Sequence, residues 1–375
     1  WGDGTISDST VDPIAVQPLG FTAEHAYADD LRIGGVPADY TIRVTVTDRV
    51  SGASGADSRL LTVANVPSQF SGPLRITPSP IGEGMEANLQ GTLIDPGVND
   101  TQTLTIDWGD GSGTQSVTIP APLTPPIDPF APRAFSVNHV FRDDVKADGS
   151  PISVTVTMAD GDTGVDVKTL VPKLVNQVPA ASINGPLSAV EGSTVDFRAI
   201  GTDAGVNDAL SYSWKVLRNG VDVTRELTGS NSPSGTELSI TPPDQGDFEL
   251  QVTVADDDGG RSVAVQPLAV INARPVVRSV DLSFSDPTGP PLTEGEPAPR
   301  AGVITDPGIR DTHTLTVNWG DGSPTDQLRP DARTYVFDRT HVYADDSPSG
   351  TASDEYPVVV TVADEDGGSA STTTM

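Results

Sequence analysis

The sequence predicts an all-β protein made of tandem antiparallel β-sandwiches arranged end to end. Three observations predict this fold class: a unit of about 100 residues recurs, apolar and polar residues alternate over short runs, and turn-forming residues separate those runs. Of the 375 residues, 37 are Gly and 33 are Pro, which indicates many turns. Because 36% of the residues are hydrophobic and only 5% are aromatic, each core must be modest and built mainly from Val, Ile and Leu.

Tryptophan marks the repeat. It occurs at positions 1, 108, 214 and 319 and nowhere else, a step of roughly 106 residues. Other phrases keep the same step: an early Glu-Gly, an Asp-x-Gly-x-x-Asp segment, and a late Val-Thr-Val strand that leads into an acidic turn. Solenoid repeats are shorter, at about 20–50 residues, so this period indicates an array of whole domains.

Short joints that begin with Asn and contain Pro divide the array. They start at Asn65, Asn176 and Asn272. The predicted domains are 1–67, 68–177, 178–273 and 274–375. The first should be the C-terminal part of a domain, because no residues precede its tryptophan, and the last lacks a closing joint. We therefore expect a window from a longer array, and we expect residues 120–133, which are rich in Pro, to form a stiff loop.

Each tryptophan ends a strand whose alternate residues are apolar. Leu104, Ile106 and Trp108 share one strand face, as do Leu315, Val317 and Trp319. The Asp-Gly that follows predicts a tight turn. The third unit lacks this Gly-Asp-Gly, and its Asn219-Gly220 predicts that the strand is longer and the turn displaced. Several short strands with regular turns and one buried indole per unit favour a two-sheet sandwich.

The combined pattern resembles the polycystic kidney disease (PKD) domain. The residues that carry the resemblance are the Trp-Gly-Asp-Gly phrases, the His-x-aromatic steps at His25, His139 and His341, and the Val-Thr-Val strands. The resemblance covers nearly the whole chain and implies an immunoglobulin-like fold. The unit at 178–273 lacks both the Gly-Asp-Gly and the His-x-aromatic step, so it is a divergent copy or a neighbouring immunoglobulin-like type. Such domains are similar to the spacers of bacterial surface proteins and secreted hydrolases.

Recurring acidic residues make calcium the one cofactor that the sequence suggests. Calcium takes about six to eight oxygen ligands, often from several loops, and each full unit carries an early Glu, an Asp-x-Gly-x-x-Asp segment and a late acidic turn. The candidate ligands are Glu83, Asp95, Asp100, Asp160, Asp162, Glu191, Asp203, Asp208, Asp256, Asp258, Glu294, Asp306, Asp311, Asp364 and Asp366. The alternative is that these residues only form turns, since Asp and Gly are ordinary turn residues.

Other kinds of chemistry find little support. Each unit has at most one His-x-aromatic step, so we expect a packed histidine with one polar bond, similar to a tyrosine corner, rather than a ligand. The chain has no cysteine and none of the nucleophile, phosphate or dinucleotide motifs. Its formal charge of −30 disfavours nucleic acid and anionic membranes. Carbohydrate-binding surfaces usually expose aromatic side chains, and Tyr335 is the only obvious tyrosine that the predicted core, the His-x-aromatic steps and the final strands do not use.

The sequence therefore favours a non-catalytic, extracellular stalk or filament segment of a large surface adhesin, with calcium stiffening the joints. Its partners would be further domains of the same longer chain, neighbouring copies in a filament, or a surface glycan or protein. The alternative is a set of polysaccharide- or protein-binding accessory modules of a secreted hydrolase. The sequence has no apolar run of 18 residues, so we expect no membrane insertion in this segment.

Overall fold

Strands make up almost all of the regular structure, which confirms the all-β fold class. The computed structural model describes residues 1–11, 20–30, 38–122, 128, 130–146, 148–162, 164–281, 293–329, 334–344 and 353–374. Within these ranges the sheets are largely antiparallel, and the one helix is a short turn in the third repeat, α1 (Thr224–Thr228). No helix among the described residues is long and apolar enough to cross a membrane. The chain divides into two compact units, one comprising 1–177 with 203–208 and the other 178–202 with 209–375.

The first unit begins with a two-stranded hairpin and continues with two facing sheets. The hairpin is β1 (Ala38–Thr47) and β2 (Ser54–Val63). The later strands are β3 (Gln69–Phe70), β4 (Arg75–Thr77), β5 (Ile81–Gly82), β6 (Glu86–Ile94), β7 (Gln102–Asp107), β8 (Thr114–Ile119), β9 (Arg133–Val140), β10 (Val154–Ala159), β11 (Val165–Leu170) and β12 (Leu174–Val175). One sheet has the order β11-β10-β7-β8. In the other, β6 pairs with β3 and β4 on one side and with β9 on the other.

The second unit contains two further pairs of sheets. The earlier strands are β13 (Ala180–Asn184), β14 (Ser188–Val190), β15 (Val195–Thr202), β16 (Ser211–Arg218), β17 (Val221–Asp222), then α1 (Thr224–Thr228), β18 (Glu237–Ile240), β19 (Gly246–Ala255) and β20 (Arg261–Ile271). The later ones are β21 (Val276–Asp281), β22 (Pro297–Thr305), β23 (His313–Asn318), β24 (Asp326–Leu328), β25 (Thr334–Val342), β26 (Val358–Asp364) and β27 (Ser369–Thr374). The sheets have the orders β13-β15-β18, β14-β20-β19-β16-β17, β21-β22-β25 and β24-β23-β26-β27.

The pairings are antiparallel with two short exceptions. β12 pairs in parallel with β5, and β14 pairs in parallel with β20. The sequence alone predicted only antiparallel strands. In both cases the last strand of a repeat lies beside a short strand near its start, so the parallel pairing brings the exit of the repeat close to the residues that follow the early strand.

The turn that follows the tryptophan strand differs between the repeats. The structure agrees with the sequence-based prediction in the third repeat and disagrees with it in the second. Asn219 and Gly220 both have positive φ and join β16 to β17 with Arg218 opposite Val221, which is the predicted two-residue hairpin. After Trp108 the prediction of a tight Asp-Gly turn is wrong. β7 and β8 end their pairing at Asp107 and Thr114, which leaves a six-residue loop.

Each full repeat has its own core around one indole. Trp108, Trp214 and Trp319 are each 1% exposed, and each belongs to a separate apolar cluster drawn from residues 70–158, 195–270 and 304–362. Burying an indole removes about 150–250 Å² from water, worth about 4–6 kcal/mol. The domain boundaries stay predictions, and part of the proline-rich loop at 120–133 lies outside the described residues.

We expect Trp108→Ala to lower the free energy of unfolding of its sandwich by about 3–5 kcal/mol, because the truncation leaves a cavity in the core. Urea denaturation followed by far-ultraviolet circular dichroism should show one transition moving to lower urea. Val167→Ala is the control, since Val167 is 49% exposed on β11, and should change the value by less than about 0.5 kcal/mol. Equal effects of the two substitutions would contradict the assignment of Trp108 to the core.

Candidate functional site

Two buried glutamates lie where their repeats meet the following joint. Glu83 directly follows β5 and Glu191 directly follows β14, and both are 0% exposed. Oε1 of Glu83 accepts a hydrogen bond from the backbone N–H of Gln177 at 2.6 Å, and Oε1 of Glu191 accepts one from Ala273 at 2.7 Å. Oε2 of each is buried and accepts no hydrogen bond within the described residues. Each carboxylate is therefore held by one oxygen, with the other still unsatisfied.

The glycine after each glutamate allows the loop of the next repeat to come close. Gly84 and Gly192 both have φ of 69°. A Cβ on Gly84 would lie 2.7 Å from the backbone oxygen of Ala204, and one on Gly192 would lie 2.7 Å from that of Pro307. The recurring Glu-Gly thus serves two purposes: the Glu holds the joint and the Gly leaves room for the neighbouring Asp-x-Gly-x-x-Asp loop.

A backbone hydrogen bond connects this loop to the preceding repeat each time, from the fourth loop residue in two copies and from the fifth in the copy at 203–208. The three bonds are Val98 N–H to the Ala28 oxygen at 3.0 Å, Asn207 N–H to the Arg142 oxygen at 3.4 Å, and Ile309 N–H to the Pro243 oxygen at 2.9 Å. In every case the accepting residue is followed immediately by one or two aspartates. The loop is therefore held beside acidic residues of the repeat before it.

Among the acidic groups that could hold a metal ion, three lie at these contacts. In each cluster one ligand atom per residue lies within 4.8 Å of the others. Their members are Asp29, Asp30 and Asp162; Glu83, Asp143 and Asp208; and Glu191, Asp244 and Asp311. Both oxygens of Asp311 are buried and accept no hydrogen bond within the described residues. All these ligand atoms are oxygens, which suits a hard cation such as Ca²⁺ or Mg²⁺.

Burial raises the pKa of four carboxylates in or beside these clusters: Glu83, Asp100, Glu191 and Asp311. Burial, followed by the charges of neighbouring carboxylates, raises the pKa of Asp100 and Asp311 to about 7. Burial also raises the pKa of Glu83 to about 7 against the hydrogen bond from Gln177, with Asp144 and Asp203 adding to the rise. The pKa of Glu191 is raised by burial as well. A buried carboxylate is costly unless an opposite charge accompanies it.

Other predicted ligands accept hydrogen bonds within turns and joints. Asp160 accepts from the backbone N–H of Asp162 and Gly164 through Oδ1, and from Ser68 through Oδ2. Asp364 accepts from Asp366 and Gly368 in the same way and also from the joint residue Asn272. Asp256 accepts from Asp258 and Gly260. These hydrogen bonds match the alternative, turn-forming interpretation of the late acidic segments.

The first aspartate of each Asp-x-Gly-x-x-Asp loop also has a local role. Asp95, Asp203 and Asp306 each accept through Oδ1 from the N–H of the glycine two residues later. Oδ2 differs between copies. In Asp95 it accepts from Ser68 and Gln102, and in Asp306 it pairs with His313 at 2.8 Å. In Asp203 it is buried and accepts no hydrogen bond within the described residues; Leu210 occupies the sequence position of Gln102 and His313.

The remaining predicted ligands lie in more open positions, and several cluster members were missed. Glu294 and Asp366 are exposed. The missed residues are Asp29, Asp30, Asp143 and Asp244 of the clusters, and Asp144, whose charge adds to the rise of the Glu83 pKa. A signal for four of them exists in the sequence, because Asp-Asp follows the His-x-aromatic step by one residue in His25–Asp30 and His139–Asp144.

The histidines make one principal polar contact, as predicted. Nε2 of His139 lies 2.8 Å from Oδ2 of Asp110, and the imidazole stacks on Trp108 with centroids 4.2 Å apart. His25 with Asp3 and His341 with Asp321 repeat the arrangement at 2.6 and 2.7 Å. The aromatic residue of the step also bonds to the backbone: the hydroxyl of Tyr27 donates to the backbone oxygen of Trp1 at 3.0 Å. The side chain of Tyr335 lies outside the described residues.

Comparison with known proteins gives only distant structural likenesses. No protein-family model matches the chain, and no curated protein matches it. Among solved structures, it is similar to a 1.5-MDa bacterial ice-binding adhesin at 17% identity and a TM-score of 0.25, covering 82% of this chain and 96% of the other. It is also similar to a tetra-tandem repeat in the extending region of a large adhesion protein, at 13% identity and a TM-score of 0.35, covering 91% and 82%. A Ca²⁺-stabilized adhesin of an Antarctic bacterium has 18% identity and a TM-score of 0.22, covering 89% and 80%.

We expect the Asp321–His341 pair to stabilise the protein above about pH 4 and to lose this effect as the pH falls through about 2. Burial disfavours the charged carboxylate, but hydrogen bonds from Ser323 and His341 outweigh it and lower the pKa of Asp321 to about 2. The unfolded chain therefore takes up the proton first, so acid favours unfolding in this window.

Urea unfolding between pH 2 and 5 should show a weaker pH dependence for Asp321→Asn than for the natural sequence. Asp338→Asn changes an exposed carboxylate in the same repeat and serves as the control. Identical pH profiles for all three proteins would refute the role given to the pair.

Proposed function

We propose that this chain is a non-catalytic segment of an extracellular stalk or filament, belonging to a large surface adhesin, whose PKD-like repeats are held in line by Ca²⁺ at the joints. The recurrence of one arrangement at several joints supports a structural role, because an enzyme normally has one catalytic site, whereas a scaffold repeats equivalent sites. The formal charge of −30 suits an exposed surface that attracts divalent cations.

The observation that carries the proposal is the buried, half-satisfied Glu83. Its Oε1 accepts from Gln177, its Oε2 has no hydrogen-bond partner within the described residues, and a carboxylate oxygen of the residue lies within 4.8 Å of Asp143 and Asp208. Three carboxylates so close together repel one another strongly at neutral pH. A divalent cation would convert that repulsion into attraction and satisfy the open oxygen.

Calcium suits this set better than magnesium. Calcium accepts about six to eight oxygens in irregular geometry, whereas magnesium demands a near-ideal octahedron and keeps several waters. Glu83, Asp143 and Asp208, with the open Oδ2 of Asp203 near Glu83, supply carboxylate oxygens from separate loops. Backbone oxygens or water would complete the shell.

An ion at this cluster would couple two successive repeats. Glu83 and Asp143 belong to the predicted domain 68–177, and Asp208 belongs to the predicted domain 178–273. An ion bound by both can be released only if the joint opens or loses a ligand, so calcium would stiffen the joint. The function of the segment would then be to space and project other domains of the same longer chain, on the cell surface or in a filament with neighbouring copies.

We expect Ca²⁺ to raise the melting temperature of the chain and to reduce its flexibility, because ligand that binds only the folded state stabilises it. The measurements are differential scanning calorimetry and small-angle X-ray scattering, each in millimolar Ca²⁺ and in excess chelator. Glu83→Gln should reduce the calcium-dependent rise without lowering the melting temperature in chelator, since it removes a buried negative charge.

Glu86→Gln is the matched control: it makes the same charge change on an exposed residue of the same predicted domain. Its response to calcium should equal that of the natural sequence. If calcium changes neither melting nor scattering, the proposal fails. Binding of the calcium-free segment to a polysaccharide on a glycan array would instead favour accessory modules of a secreted hydrolase.

A further inference from the structure

An arginine already occupies one of the acidic clusters. Arg218 is the last residue of β16, and its Nη2 lies 2.7 Å from Oδ2 of Asp244 and donates to the backbone oxygen of Gln245 at 2.5 Å. The guanidinium also lies over the ring of Phe248, 5.7 Å from its centroid. Asp244 is the residue that completes the cluster with Glu191 and Asp311. A fixed positive charge of the protein is therefore bound to one of the three candidate calcium ligands.

In the cluster around Glu83, the counterparts of Glu191 and Asp244 are Glu83 and Asp143. Within the described part of the chain, neither Glu83 nor Asp143 forms an ion pair with an arginine or lysine. It also has an additional open oxygen, Oδ2 of Asp203, whereas Oδ2 of the equivalent Asp306 pairs with His313. The two clusters thus share a design but differ in how many carboxylate oxygens remain available to an ion.

A second ion pair holds the joint near Glu191. Arg310 lies inside the Asp-x-Gly-x-x-Asp loop, and its Nη2 donates to Glu226 on α1. The corresponding loop positions are Asn99 and Asn207 in the other repeats. Together with the hydrogen bond from Ile309 to Pro243, the Arg310–Glu226 pair connects the two repeats of this joint through groups of the protein itself.

We propose that Arg218 is a tethered competitor for calcium, so that the site of Glu191, Asp244 and Asp311 binds Ca²⁺ at least about tenfold more weakly than the site of Glu83, Asp143 and Asp208. This inference rests on the calcium function proposed above and adds its regulation. The joint near Glu83 would fill at low calcium. At low calcium the joint near Glu191 would be held by the Arg310–Glu226 pair and the Ile309–Pro243 hydrogen bond, and its site would bind calcium only at higher concentration.

The competition follows from charge and geometry. Calcium at this site must either displace the guanidinium from Asp244 or accept a positive charge beside it, and both oppose binding. The lengthened hairpin of the third repeat delivers the arginine, since Arg218 directly precedes the Asn219-Gly220 turn. The displaced turn of this repeat therefore has a consequence at the joint.

The test is isothermal titration of the full 375-residue chain with CaCl₂. Arg218→Met keeps an unbranched apolar stem for the contact with Phe248 but removes the charge. We expect it to tighten the weaker class of sites about tenfold and to leave the tighter class unchanged, while lowering the melting temperature in chelator. Arg218→Lys keeps a positive charge and should retain weak binding. Arg198→Met removes an exposed arginine paired with Glu237 in the same repeat and should not change calcium affinity.

Two further variants assign the classes and keep the test decisive if Arg218→Met does not fold. Glu191→Gln should remove the weaker class and Glu83→Gln the tighter one. The reverse assignment, equal affinities, or an unchanged weak class in a folded Arg218→Met would overturn the inference while leaving the calcium function intact. The absence of calcium binding in every variant would overturn the proposed function itself.

Discussion

The rest of the joint depends on a completely buried glutamate, of which only one carboxylate oxygen accepts a hydrogen bond. Glu83 and Glu191 each use one oxygen to hold the backbone of the following joint, and the other oxygen of each is buried and accepts no hydrogen bond within the described residues. Water cannot easily reach a side chain with no exposed surface, so the charge has to be balanced by a proton, an arginine or a metal ion. Which of these balances it decides whether the joint is held by calcium or by the protein alone.

Aspartate has two different roles in the repeat, and the residue type alone does not show which role a given aspartate has. In Asp160, Asp256 and Asp364 the carboxylate accepts from backbone N–H groups of its own turn, which stabilises the loop and lowers the demand for a cation. In Asp311 neither oxygen accepts such a bond within the described residues. The same residue type therefore organises the loops that position the cluster and supplies the charge inside it.

The repeated contacts were predictable to different degrees. The buried indoles, the alternating strands and the Asn219-Gly220 turn follow from local rules, because side-chain alternation and positive φ leave direct marks in the sequence. Asp143 was missed although Asp-Asp after His-x-aromatic recurs, and Asp244 carries no such signal; the role of each depends on a loop about 65 residues away in the chain folding against it. The parallel pairings of β12 and β14 were missed for the same reason.

By itself, the sequence determined the repeat, the all-β class and the residue that fills each core, because these depend on period, polarity and turn chemistry within short segments. Only the tertiary structure decided which carboxylates of a strongly acidic chain meet. Asp95 and Asp100 stand five residues apart, yet Asp95 is bound by Ser68 and Gln102, whereas burial, followed by neighbouring negative charges, raises the pKa of Asp100 to about 7. The physical reason is that burial and distance set the electrostatics of a carboxylate, and neither can be read from the chain until remote loops are brought together.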